Sequence, residues 1–182
     1  SAPPKAHLPG VARFARRFAA GCSLPEPITE AVERAGLMHD LGKLDPRFQC
    51  LLVGGNCWGI DPDRPLAKSL SLPRDRRAWE HARAAADYPR GARHELYSVA
   101  LALSDASGRL LPTEEPARGL ILHLIASHHG HCRPFAPIIE DEGVARITAT
   151  LGGADLTHVG PAGMDSLDSG TAERFWDQVR RF

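Results

Sequence analysis

Leu37-Met38-His39-Asp40-Leu41-Gly42-Lys43 sets a histidine and an aspartate side by side inside an apolar helical pattern, with a lysine one turn later. Working backwards, Ile28, Val32 and Ala35 form an inward stripe on a helix expected over about residues 27–41, and the next position in that rhythm is His39. Lys43 lies four residues past His39 and three past Asp40, so it projects to the same side if the helical turn continues. An ionised carboxylate on a buried face costs several kcal/mol even after relaxation, unless a cation or a hydrogen-bond network compensates it. A metal ion would be such a cation.

Other helices end on histidines in the same way. Residues 8–20 carry Val11, Phe14, Ala15 and Phe18 on one face, with Gly21 as a stop; one further N-terminal turn, where Pro9 is tolerated, puts His7 on the buried face. Residues 74–88 read as a helix closed by Pro89, and 94–106 as another with Tyr97, Ser98 and Leu101 on the His94 face. Residues 115–127 are apolar almost all round, and their stripes terminate on His128 and His129. The last helix, 171–182, is amphipathic through Phe175, Trp176 and Val179. Between them, 45–75 is expected to be a long irregular loop, 141–157 is ambiguous, and 160–170 is loop. With no confident strand, the expectation is an all-α helical bundle with a long irregular loop after the His39-Asp40 helix, one domain over residues 1–182.

Bulk composition narrows the function classes only modestly. Lys plus Arg and Asp plus Glu are both 22, so net charge favours no anionic partner. Within 64–93, however, eight basic residues face three acidic ones, a net of +5, which reads either as a solvated helix face or as a strip contacting phosphates. The four cysteines (22, 50, 57, 132) form no CxxC pair and are expected to be reduced thiols of a cytoplasmic protein. No run approaches the roughly 18 apolar residues of a membrane span, and the N-terminus lacks the apolar core of a signal peptide. The first residue is Ser, which fits a processed chain or a piece of a longer polypeptide.

His7, His39, Asp40, His94, His128 and His129 therefore share the inward sides of different helices. One histidine in such a place is ordinarily a hydrogen-bonded core residue. Five with an aspartate are better understood as ligands, because imidazole and carboxylate suit Zn, Mn, Fe, Co or Ni. His81 and His158 have polar surroundings and are expected at the surface. His123 lies about 140° around its helix from His128 and is expected to be core or surface rather than a ligand. His131, after the turn, is a candidate to face substrate.

The blocks Ala35–Gln49 (AGLMHDLGKLDPRFQ), Arg93–Ser98 (RHELYS) and Ala126–Gly130 (ASHHG), with an early His7, resemble the HD phosphohydrolase superfamily. Their wording is similar to the HD nuclease domain of the CRISPR-associated helicase-nuclease of type I systems, over roughly His7 to Pro134. The resemblance implies that His7, His39 and Asp40 hold one metal, that Asp40 bridges to a second held by His94, His128 and His129, and that Lys43 stabilises charge on the phosphate. It also implies a further aspartate for the first metal, either Asp155 or a residue beyond Phe182.

Two ions can activate water at neutral pH and clamp the attacking and leaving oxygens of a phosphodiester. No Walker-type loop, HExxH or Ser-His-Asp signature competes, so any ATP-driven translocation belongs to a helicase domain or subunit elsewhere. The leading expectation is a nuclease of single-stranded DNA, with two divalent transition metals (Mn, Co, Ni or Fe ahead of Mg), acting with the CRISPR surveillance complex. One alternative is an HD phosphohydrolase of dNTPs or cyclic dinucleotides; the other is a weakly active HD module that docks onto a partner. An open groove lined by Arg74, Arg76 and Arg77 would favour the nuclease over a closed nucleotide pocket.

Overall fold

The computed structural model describes residues 4–69, 75–139, 143–161 and 170–181. Among them are seven α-helices: α1 (Pro4–Gly21), α2 (Glu26–Met38), α3 (Pro46–Leu52), α4 (Arg76–Ala85), α5 (His94–Leu103), α6 (Ala117–Ser127) and α7 (Thr171–Arg181). An antiparallel hairpin, β1 (Ala145–Leu151) and β2 (Ala154–Gly160), is inserted before α7. The molecule is mainly helical, as the periodicity predicts.

The centre of the bundle is α5, whose residues His94 to Ala102 are all buried. It packs against α6, the hairpin and the short 3-10 turn Leu41–Leu44; α6 in turn meets α2 and α7, and α1 lies along α2. The α1–α2 contact is made by small residues. A Cβ on Gly36 would sit 3.3 Å from Ala15 Cβ and 3.4 Å from Ala12 Cα, so the backbones approach closely there. Leu8, Ala12 and Ala19 are buried on that face, whereas Phe14 and Phe18 stay 61% and 71% exposed. Of the expected Val11, Phe14, Ala15 and Phe18 face, Ala15 meets α2 and Val11 is half-buried, while Phe14 and Phe18 point outward, because close helix approach selects alanine and turns bulky side chains away.

Two other expectations are corrected. Residues 45–75 are not wholly irregular: Asp45 caps α3 by accepting a hydrogen bond from Arg47 N at 2.8 Å, Pro46 takes the first helical position, and a 3-10 turn forms at Cys57–Gly59. The ambiguous 141–157 stretch contributes the hairpin. Gly152 and Gly153, at φ +55 and +76, supply the two positive φ angles of a tight turn, and Ala145, Ile147, Ala154 and Leu156 bury one face. Most of the 160–170 loop lies outside the described residues, as does Arg74.

The cysteines also depart from expectation. Cys50 and Cys57 form a disulfide between the end of α3 and the following 3-10 turn, while Cys22 and Cys132 are free. Burial pushes the Cys132 thiol up to about 11, which disfavours its thiolate near neutral pH.

Candidate metal centre

The site forms where α2 stops. Helical geometry ends at Met38, His39 is the C-cap, and Asp40 turns out of the helix at φ −107, ψ 9 before the Leu41–Leu44 turn. This turn is locked to α5 by Ser98. Its hydroxyl accepts from Gly42 N at 2.8 Å and reaches His39 O at 2.7 Å and His94 O at 3.0 Å as donor. Gly42 is required by the approach: a Cβ there would lie 2.0 Å from His94 O. One hydroxyl thus sets the spacing between the His39-Asp40 pair and His94.

All six residues read from the sequence as metal ligands converge. His7 comes from the start of α1, His94 is the first residue of α5, and His128 and His129 close α6. They fall into two groups with Asp40 in both: Asp40, His94, His128 and His129, and His7, His39 and Asp40, with potential ligand atoms within 4.8 Å of one another in each. The two carboxylate oxygens divide between them. Asp40 Oδ1 lies 3.1 Å from His94 Nε2 and 3.7 Å from His128 Nε2, whereas Oδ2 lies 3.3 Å from His39 Nε2 and 3.8 Å from His7 Nε2. Lys43 Nζ donates to Oδ2 at 2.7 Å and reaches Ala67 O at 3.4 Å.

These residues fit a metal by three criteria. Asp40 Oδ1, His94 Nε2 and His128 Nε2 are buried with no hydrogen-bond partner, although they are neighbours, so the site gathers lone pairs without using them. Two imidazoles have their far nitrogen occupied: His39 Nδ1 donates to Gly36 O and His128 Nδ1 to Ile125 O, both at 2.8 Å, leaving Nε2 as the acceptor turned to the centre. Protonation favours the same outcome. Burial pushes the Asp40 carboxyl up, whereas the Lys43 cation donating to Oδ2 at 2.7 Å favours its ionised form. Burial, then His128, lowers the His129 pKa below its ordinary 6.5, which keeps that imidazole neutral near pH 7.

Several supporting residues escaped the sequence reading. Glu95 is completely buried, and its carboxylate sits 3.3 Å from His94 Nδ1 with no hydrogen-bond partner of its own. Gln49 accepts from Leu66 N at 2.7 Å and donates to Lys43 O at 2.6 Å and Leu66 O at 3.0 Å, pinning the 60–69 segment beside the site. Phe48 stacks its ring 5.4 Å from that of His94. Phe48, Gln49 and Glu95 fall inside the blocks that carry the family resemblance, and Glu95 and Ser98 also stand inside an apolar helix, where an uncompensated polar side chain needs a partner.

Other candidates lie elsewhere. Asp155 is exposed on β2, accepts from Thr150 Oγ1 at 2.8 Å and joins neither group. His131 is exposed and lies at the edge of the site, with Nδ1 3.5 Å from Arg93 Nη2. His81 is exposed as expected. His158 is not: it is half-buried beside the Tyr97 ring at 5.6 Å, and burial lowers its pKa. His123 is half-buried against Phe175.

Histidines on four helical segments, gathered round one shared aspartate, define a metal-dependent hydrolase centre of the HD type. Residues 10–177 match the family model described as Cas3, HD domain, and the chain belongs to that family, whose members are HD nucleases of CRISPR systems. His7 lies just upstream of the matched stretch. No match was found among curated proteins or among solved structures. No helix among the described residues is long and apolar enough to cross a membrane.

Proposed function

We propose that this domain, spanning 1–182, hydrolyses phosphodiester bonds of single-stranded DNA in type I CRISPR antiviral defence. It would act in the cytoplasm with a helicase domain or subunit and the surveillance complex. The observation that carries the reading is the division of Asp40, one oxygen towards His94 and His128 and the other towards His39 and His7. In this reading His7, His39 and Asp40 hold one divalent ion and Asp40, His94, His128 and His129 a second. The imidazole-rich set favours Mn, Co, Ni or Fe over Mg. Ions bound there supply activated water at neutral pH and neutralise charge on the scissile phosphate.

The chain's own groups do the remaining work. Asp40 stays ionised and holds the two ligand groups in register. The carbonyls of Gly36 and Ile125 fix the tautomers of His39 and His128, so neither of these two imidazoles has to rearrange on loading. Lys43, anchored on Asp40, adds a cation beside the phosphate as its charge develops. Of the three arginines expected to line an open groove, Arg76 does so, together with Arg83 and Arg90; Arg77 does not, and Arg74 lies outside the described residues.

Protein loaded with Mn2+, Co2+ or Ni2+ is expected to degrade circular single-stranded DNA, and Asp40→Ala or Lys43→Ala to suppress the cutting. Loaded protein that hydrolyses dNTPs or cyclic dinucleotides but leaves circular single strands intact overturns the assignment.

A further inference from the structure

One wall of the molecule carries arginines that the hydrolytic centre does not use. An open groove of about 880 Å³ runs between α4 and the 87–91 turn, lined by Arg76, Trp79, Arg83, Tyr88 and Arg90. Two carboxylates also line it. Glu80 is occupied by Arg76, whose Nε donates to it at 2.9 Å, and Asp87 is exposed on the turn. Arg83 is held differently. Its guanidinium lies 5.6 Å from the ring centroids of both Trp79 and Tyr88, and Nη1 donates to Pro89 O at 2.7 Å. Among the described residues no carboxylate forms an ion pair with Arg83, and Arg90 is felt by Glu80 only beyond ion-pair distance.

An arginine sandwiched by aromatic rings without an acidic partner is an unfinished charge arrangement. Burial lowers the Arg83 pKa, so its cation stands in a partly desolvated place where an anion interacts strongly. The Tyr88 hydroxyl is buried without a hydrogen-bond partner at the same wall. Arginines beside aromatic surfaces in an open groove suit a chain of phosphates and unpaired bases. The groove lies near the hydrolytic centre, separated from it by two packed rings. The Tyr88 ring contacts Phe48 at 5.3 Å, and Phe48 contacts His94 at 5.4 Å. The Tyr88 and His94 ring centres are therefore no further apart than the sum of those two distances, which is at most about three nucleotides of stacked strand at roughly 3.4 Å each. From the turn, Gly91 at φ +82 leads the backbone on to Arg93 and His94.

We infer that the α4 groove holds single-stranded DNA to one side of the scissile phosphate, with Arg83 and Arg90 on phosphates and Trp79 as a base-stacking surface. This rests on the nuclease reading of the His–Asp centre. It adds a place where the strand is gripped independently of metal.

The test is fluorescence anisotropy of the full chain with a labelled oligo-dT, EDTA keeping the strand intact, across a salt series. Trp79→Ala is expected to weaken binding about 5- to 100-fold. Arg90→Ala should reduce the magnitude of the log–log salt slope by about 0.7. Arg180→Ala, on α7, serves as the distant charge control and should match wild type. Thermal melts establish that each variant is folded, and the exposed Arg90→Glu carries the test if Trp79→Ala is not. Wild type that binds and cuts single strands while Trp79→Ala and Arg90→Glu bind like Arg180→Ala overturns the groove and leaves the nuclease reading standing. Tighter binding of duplex DNA through the same residues overturns the single-strand assignment. Wild type that neither binds nor cuts any single strand removes the nuclease reading and the groove together.

Discussion

Gly42→Ala is the perturbation that most directly probes how the fold builds its site. Any Cβ at this position would lie 2.0 Å from His94 O, 2.8 Å from Ser98 N and 2.8 Å from Tyr97 Cβ. Even weak C–H···O contacts keep carbon and oxygen about 3.3 Å apart, so the turn must retreat from α5 by about 1 Å or more. Two of the three obstructing atoms are backbone in the buried His94–Ala102 run of α5, and the third is the Tyr97 Cβ, which leaves no flexible side-chain end to yield. Overpacking of this kind costs about 1–3 kcal/mol. The retreat also strains the Ser98 hydroxyl's bonds to Gly42 N and His39 O, at about 1 kcal/mol each. The total is about 3–5 kcal/mol, which at about 2–4 °C per kcal/mol lowers Tm by roughly 6–20 °C. Ser98→Ala removes the hydroxyl without inserting an atom and should cost about 1–3 kcal/mol. Thermal and urea melts of the two variants beside wild type make the comparison, with a metal titration of whatever remains folded. If Gly42→Ala melts within 2 °C of wild type, or is less damaging than Ser98→Ala, the steric account of the α5 contact fails.

Further expectations concern protons, partners and covalent structure. His123, His129 and His158 all have pKa values lowered below 6.5 by burial, so the unfolded chain binds more protons than the folded one as the pH drops. Their contribution to stability is present above about pH 6.5 and is lost as pH falls through the lowered values; Tm measured without metal should decline from pH 7 to 5, and a flat profile would contradict this. Glu95→Gln and Glu95→Ala should weaken metal binding about 10- to 100-fold by releasing the His94 ring, with Ala the more severe; calorimetric titration showing wild-type affinity in Glu95→Ala would remove its positioning role. Reduction of the Cys50–Cys57 bond, which closes a short loop, should destabilise the chain by about 2 kcal/mol, read as a lower urea midpoint under dithiothreitol; an unchanged midpoint would show the link is not formed in solution.

The clustering of the candidate ligands was legible in the sequence because histidines at the ends of apolar stripes have few structural explanations. His39, His128 and His129 follow such stripes directly, and the structure brings them together with His7, Asp40 and His94. Periodicity could not say where α2 stops. That stop matters, since Asp40 reaches both ligand groups only from the turn after Met38. Phe14 and Phe18 face outward for a related reason: periodicity registers hydrophobicity but not size, whereas Ala12, Ala15 and Gly36 permit the close α1–α2 approach. The hairpin did have a local signal in Gly152-Gly153 between alternating apolar residues. His158 looked polar because its neighbours in the chain are, but Tyr97 from α5 covers it. The Cys50–Cys57 bond depends on where the chain turns after α3, and spacing alone does not specify that.

Asp40 as a ligand shared by two metal positions is the centre of the account, and metal stoichiometry tests it most directly. Co2+ or Mn2+ titrated into metal-stripped protein, with bound metal quantified by elemental analysis, should approach two ions per chain in the wild type. His7→Ala should lose one, and Asp40→Ala should lose both while remaining folded. Asp40→Ala that still binds metal at the wild-type ratio, or wild type that never exceeds one ion per chain, would contradict it.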